Sequence, residues 1–276
     1  TKEISPDALV KIYEALKRKA SGRVAIKIST GEPGGHNFLQ PSLIKDLVQK
    51  VSGTIVECNT AYVGKRFTTE EHIQAAKDHG FFDIAKVDIM DSEGEFNIPV
   101  KDKKHIQYNI VGTHLKNYDF MINLAHFKGH AMGGFGGVIK NQSIGVASSK
   151  GKTYIHTAGK TAETAELWNN LPEQDAFLES MSASAFSASR CTTKSRSPTA
   201  LRRAPAHLRA PTSASISSIS TSVWPCLYDD ENQQNHNIIL AFSLHVPDFR
   251  RVHPQRHTLS EDSAGLCFHG SKGVAP

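Results

Sequence analysis

Residues 23–59 read RVAIKISTGEPGGHNFLQPSLIKDLVQKVSGTIVECN, and their alternation sets the fold class. RVAIKIS is a short run rich in β-branched residues that ends in the turn TGEPGG. PSLIKDLVQKV then reads as a helix and GTIVECN as a second strand. The pattern extends in both directions. Upstream, SPDALVKIYEALKRK carries an N-cap serine, Ser5, a proline at the first helical position, Pro6, and apolar residues at helical spacing. Downstream, TTEEHIQAAKDHG reads as a helix stopped by Gly80, and AKVDIMD and YDFMINLAH as further strands. Strands alternating with helices predict an α/β fold, a largely parallel or mixed sheet flanked by helices. Such sheets bind ligands at the carboxyl ends of their strands, and both glycine-rich stretches of the chain follow candidate strands.

Composition bounds the function. The 276 residues are 39% hydrophobic and 21% charged, ordinary for a globular chain with a real core. No apolar run approaches the roughly 20 residues that span a bilayer, and the amphipathic start does not resemble an export signal. Cys58, Cys191, Cys226 and Cys267 are far apart and form no C-x-x-C pair, which argues against a disulfide framework and fits a reducing, cytoplasmic setting. The net charge of +5 is unevenly spread. Through residue 180 there are 22 basic and 21 acidic residues, and beyond it 10 and 6. The excess therefore lies in the tail rather than on a basic stripe, so neither nucleic acid nor membrane is an expected partner.

The chain divides near residue 181 into an α/β domain, 1–181, and an anomalous C-terminal region, 182–276. No glycine occurs between Lys160 and Ala264, and SASAFSASRCTTKSRSPTALRRAPAHLRAPTSASISSISTS is low in complexity. Lys outnumbers Arg 19 to 3 before the division, and Arg outnumbers Lys 8 to 2 after it. Two readings fit: a disordered polar tail, or an altered reading frame that exchanges lysine for arginine codons. On either, little of this region is expected in the main core.

The second glycine stretch, His126–Asn141, reads HFKGHAMGGFGGVIKN. Its glycines disfavour a long helix, so the strand is expected to end near His126, with a glycine loop and then a helix from about Gly136. Free amides there, with Lys140, would suit an anion. Gly133, Gly134, Gly136 and Gly137 are candidate ligand-cradling positions; alternatively they allow tight packing. His126 and His130 are candidate divalent-metal ligands or, with Lys140, acid–base groups. In STGEPGGHNF, Gly31, Glu32, Gly34, Gly35 and His36 offer either an anion cradle and a carboxylate–imidazole pair or a plain turn. Cys58 is expected to end a buried strand. His72 and His79, on a helix, are expected at the surface. His156 either joins the site or is exposed. The turn STGEPGG is not followed by the G-K-[ST] of a phosphate loop, neither glycine stretch matches a full G-x-G-x-x-G, and there is no G-x-S-x-G or HExxH.

Three stretches in order, STGEPGGHNFLQP, VECNTAYVGKR and NLAHFKGHAMGGFGGVIKNQSIGVASSKGKTYIHTAGK, resemble the DUF362 family, often described as uncharacterised iron–sulfur centre proteins. The resemblance covers about residues 1–181. It implies an α/β fold, no established reaction, and an iron–sulfur cluster in those relatives that carry cysteine motifs, which this chain lacks. More distantly, the spacing of His130, Gly134, Gly137 and Lys140 is similar to a segment of nickel-pincer lactate racemases, which would give His130 proton transfer and Lys140 a cofactor contact. The readings of function are three. The first is an enzyme or redox-linked protein holding a small anionic ligand or metal cofactor in a cleft. The second is a non-catalytic cofactor-binding or cluster-assembly module. The third is a truncated, inactive family member.

Overall fold

The computed structural model describes residues 3–130 and 132–190, together with the backbone of Cys226–Leu227 and Asn237–Leu244. The expected helices and strands of the first half form. Helix α1 (Pro6–Ala15) is capped by Ser5, whose Oγ accepts the Ala8 amide at 3.1 Å. It leads to β1 (Val24–Lys27), α2 (Pro41–Lys50), β2 (Thr54–Glu57), α3 (Thr69–Asp78) and β3 (Val87–Ile89). Thr68 caps α3 by accepting the Glu71 amide. An antiparallel pair, β4 (Glu95–Pro99) and β5 (Tyr108–Gly112), stands apart as a second sheet that the periodicity above did not indicate.

The long strand β6 (Phe120–His130) then inserts beside β1, parallel to it, with Val24 opposite Phe120 and Lys27 opposite Asn123. The order β3-β2-β1-β6 is parallel throughout. The chain steps outward in one direction from β1 and returns on its other side, so the topological switch point lies between β1 and β6. Loops diverge there and leave room at the carboxyl edge. On the far side of β6 runs β9 (Asn237–Leu244), antiparallel, followed by β8 (Cys226–Leu227). The sheet is therefore mixed.

Side chains alternate between two cores. Ile26, Ile28, Ile55, Ile122 and Leu124 pack under α1 and α2 with Leu9, Ile44 and Leu47. Ala25, Val56 and Met121 face the opposite way, against Val111, Leu115 and Val146. Burial on both faces explains why the strands read as apolar runs rather than alternating ones. Each fully buried Ile or Leu contributes about 1.5–3 kcal/mol.

Two expectations are corrected. The strand does not end near His126. It continues to His130 and folds back through β7 (Gly134–Gly136) as a hairpin, with His130 opposite Gly134 and Lys128 opposite Gly136. The glycines supply the bend, Gly134 at φ 70°, rather than an open loop. Helix α4 (Val138–Ser143) follows, then α5 (Ser149–His156). Nor does the fold stop at residue 181. Helix α6 (Gln174–Arg190) runs straight across it, burying Phe177, Ser180, Met181, Ser184, Ser187 and Ala188. These small residues recur at helical spacing and let α6 lie close to α4, with Ser184 Oγ hydrogen-bonded to Ser143 Oγ and the Ser184 carbonyl accepting from Asn109 Nδ2 at 3.2 Å. The rest of the low-complexity stretch, from Cys191 onward, lies outside the described residues except for the backbone of β8 and β9.

Candidate functional site

The carboxyl edge of β1 and β2 ends in charge. Lys27, the last residue of β1, is fully buried, and its Nζ donates to Glu57 Oε2 at 3.0 Å, to Asn141 Oδ1 at 3.1 Å and to the Ile28 carbonyl. Glu57, the last residue of β2, also accepts the Thr30 amide at 2.7 Å and the Thr30 hydroxyl at 3.1 Å. Arg66 Nη1 stands 3.5 Å from Glu57, and His72 Nε2 3.9 Å from it. Burial alone would raise the Glu57 pKa, but Lys27, His72 and Arg66 outweigh it and hold the carboxyl well below its ordinary value. A buried charge needs such partners, because unpaired it costs several kcal/mol. His72, expected at the surface, is fully buried on α3, with Nδ1 3.2 Å from Asn59 Oδ1. His79 is half-buried, stacked on Phe38 and bonded through Nδ1 to the Thr30 carbonyl at 2.7 Å.

The stretch after β1 is a tight turn. The Gly35 amide donates to the Glu32 carbonyl at 2.9 Å, and Gly34 has φ 75°, the third position of a type II turn with Pro33 at the second. Gly31, also at positive φ, lies against Phe38. Glu32 and His36 do not pair. His36 is exposed, while the Glu32 carboxylate accepts from Arg66 Nη2 and from Tyr62 Oη at 3.2 Å. Beside them the rings of Tyr62 and Trp168 lie 6.3 Å apart.

At the switch point itself, Asn141 on α4 bridges the two strands. Its Nδ2 donates to Asn123 Oδ1 at 2.6 Å and to the carbonyls of Lys27 and Leu124. Gly145 makes room for this knot: a Cβ there would stand 2.3 Å from the Asn141 carbonyl oxygen and 2.7 Å from Lys27 Cε. The hairpin of β6 and β7 rises from the same edge. Gly133, Gly136 and Gly137 are buried in it, Gly134 is exposed, and Lys140 is half-buried on the short helix that follows.

His130 accepts the Gly133 amide at Nδ1 (3.1 Å), so its Nε2 carries the proton. His156 is its opposite. Nδ1–H donates to the Lys152 carbonyl at 2.7 Å, which leaves the lone pair on Nε2, and the ring stacks on Phe177. Burial, with Lys140 adding positive charge, lowers the His156 pKa to about 4, so it is neutral at pH 7. Lys152, one turn earlier, is buried with only the carbonyls of Cys58 and Ala147 as hydrogen-bond acceptors, and burial lowers its pKa.

The glycine stretches thus leave adjacent parallel strands at one edge, and Glu32, His126, His130 and Lys140 belong to it. Sequence reasoning missed Lys27, Glu57, Arg66, Asn123, Asn141 and Lys152. A charged residue closing a short, otherwise apolar strand was the available signal for Lys27 and Glu57.

For a metal, His126 and His130 are four apart along a strand, about 13 Å between Cα atoms, against about 6 Å on a helix. Among the described residues no group of three or more His, Cys, Asp or Glu is placed to hold an ion. Among the described residues the donors do not fit an iron–sulfur cluster. The single cysteine whose side chain is described, Cys58, is buried, donates to the Val146 carbonyl at 3.3 Å, and is kept a thiol by burial. No helix among the described residues is long and apolar enough to cross a membrane.

Neither the comparison with curated proteins nor that with solved structures returned a significant match. One family model does match, over residues 24–238, from β1 into β9 and past the composition change at 181. With more than half of its length matched and both glycine stretches inside the match, the chain belongs to the DUF362 family, a domain of unknown function.

Proposed function

We propose that the chain binds a small anionic ligand at the carboxyl edge of its sheet and abstracts a proton from it there with the help of two histidines of opposite tautomer. The observation that carries this reading is the opposite tautomers of His130, with its proton at Nε2, and His156, with its lone pair there, together with the influence of Lys140 on the His156 ring. A lone pair on His156 to take the proton and an N–H on His130 to hydrogen-bond the charge that develops, beside a cation, suit proton abstraction next to an anionic group. Backbone amides near the hairpin bend and Lys140 would hold the anion. The likeness to racemases, in which a histidine acts as acid and base, points the same way. A redox or metal-dependent role would draw on donors beyond the described residues, and metal analysis with absorbance near 400 nm would detect it.

Calorimetric titration with inorganic phosphate tests the binding half. Lys140→Ala should weaken binding by about 1–3 kcal/mol, as expected for a lost charge-assisted hydrogen bond, without unfolding the protein. His130→Ala should leave binding nearly unchanged while abolishing any exchange of a substrate proton with deuterated solvent. Binding that survives with no proton exchange in the parent favours the non-catalytic module. If Lys140→Ala and His130→Ala change nothing while Gly137→Val unfolds the chain, the glycines serve packing and the site is wrongly placed.

A further inference from the structure

We propose that Arg66 anchors a site for a small carboxylic acid with a planar apolar body, and that Glu32 occupies this anchor as a displaceable placeholder. The idea goes beyond the reading above and uses none of its residues. The guanidinium of Arg66 is nearly buried and held from behind by Glu57, 3.5 Å from Nη1. The edge that meets Glu32 carries two donors, Nη2 and Nε. Glu32 takes only one of them: Oε1 sits on Nη2, while Nε–H is buried with no acceptor. A carboxylate seated squarely on that edge satisfies both donors, the two-pronged geometry that makes arginine–carboxylate pairs strong. An unmade buried N–H is costly, so the structure holds a reason to exchange Glu32 for a better-placed carboxylate.

The two glutamates on Arg66 differ in their freedom. The Glu57 side chain is 6% exposed and held by four other groups, whereas that of Glu32 is 53% exposed and projects from the Gly31–Gly35 turn. Rotation of Glu32 into water breaks its contacts to Arg66 and Tyr62 and disturbs no core packing. Beside the anchor, Tyr62 is 42% exposed, Trp168 64% and Val63 88%. Aromatic surface left open next to a buried arginine suits a ligand whose carboxylate meets Arg66 and whose flat body covers the rings.

Trp168 provides the readout. The chain has two tryptophans, so Trp224→Phe leaves its emission alone. In that background benzoate is titrated, with acetate and inorganic phosphate as comparison arms. Glu32→Ala is expected to bind benzoate at least about tenfold more tightly than the parent, and more tightly than it binds acetate or phosphate. Arg66→Lys, which keeps the charge but loses the two-pronged edge, should cancel that gain; a thermal melt confirms that it folds. Glu32→Gln, a milder change at a half-exposed position, should fall between parent and Glu32→Ala. Lys140→Ala should leave the benzoate response intact, so failure of the hairpin site and failure of this one are separable. Equal affinity in Glu32→Ala and parent, no response in any variant, phosphate binding as tightly as benzoate, or a gain that survives Arg66→Lys would each overturn the proposal.

Discussion

The turn after β1 and the hairpin after β6 leave neighbouring strands at the same sheet edge, and they are held in different ways. Beneath the turn lies a buried network: the charges of Lys27, Glu57 and Arg66, with His72 beside them, join β1, β2, α3 and the loop between them. The hairpin tip rests on a two-stranded ladder, since Lys128, Gly129 and His130 pair with β7, while β9 pairs with β6 only as far as Phe127. One region is part of the fold, because removing the Glu57 charge strands the Lys27 ammonium in the interior. The other carries its ionisable groups on a two-stranded extension of the sheet. Glycine-rich segments that look alike in sequence thus do different work.

The hardest test of this contrast is Glu57→Gln. The amide keeps the shape but leaves the Lys27 ammonium without a counter-charge in the interior, and breaking a buried pair this way costs about 3–5 kcal/mol. Urea denaturation should show a loss of that size, with the slope unchanged. Lys27→Met should cost less, because Glu57 keeps Arg66, His72 and Thr30. A Glu57→Gln loss below about 1 kcal/mol would mean that the network does not tie the turn to the fold.

Acid titration separates the two regions by pH. Glu57 is held below its ordinary value, so its contribution is complete above the unfolded carboxyl pKa of about 4.3 and vanishes as pH falls through the lower folded value. His156 acts in a higher window. Its folded pKa of about 4 lies below the ordinary imidazole value of about 6.5, so the unfolded chain takes up the proton first. Stability is therefore complete above about pH 6.5 and declines toward pH 4, by at most ~3 kcal/mol. His156→Gln should flatten that limb and leave the acid limb of Glu57 in place. An unchanged slope between pH 6.5 and 4 would show that the imidazole is already solvated.

Much of the architecture was legible because both cores need apolar runs of the right period: the cap at Ser5, the strands at 24–27, 54–57 and 87–89, and the helices between them follow from local chemistry. The pairing of Lys27 with Glu57 was not legible, since thirty residues separate partners that meet only through the β1–β2 register. His72 misled for a similar reason. It shares its helix face with Ala75 and Ala76, too small to mark that face as buried. The β4–β5 pair was hidden by the charged connection KDKKH. Helix α6 was hidden by its serines, which resemble low complexity but bond within the helix, as Ser184 Oγ does to the Met181 carbonyl at 2.9 Å. Ser184→Leu makes that packing measurable. With no room against Ser143, it should destabilise the protein by about 1–3 kcal/mol in thermal or urea melts, whereas a neutral outcome would mean that residues beyond 181 are dispensable to the core.

The smallest expected effects discriminate the two regions most finely. Gly34 and Gly134 have nearly the same backbone, φ 75° and 70°, and a Cβ at either would meet nothing within 4 Å. Alanine at each should therefore cost the same local strain, about 1 kcal/mol, with no steric term to confuse the comparison. What differs is where that cost appears. Gly34 sits in a turn fastened at its base by Thr30, whose amide and hydroxyl bond Glu57 in the buried network, so Gly34→Ala should lower the global unfolding free energy by nearly the full amount. Gly134 sits at the end of a two-stranded ladder, and such hairpins are marginal on their own. Its strain should be relieved by local opening, leaving the urea midpoint in place while amides near 128–136 exchange several-fold faster. Hydrogen exchange on the two variants and the parent measures both quantities at once. Equal losses in the urea midpoint, with exchange near 128–136 unchanged, would show that the hairpin belongs to the same cooperative unit as the turn, and the contrast between the two glycine stretches would fall.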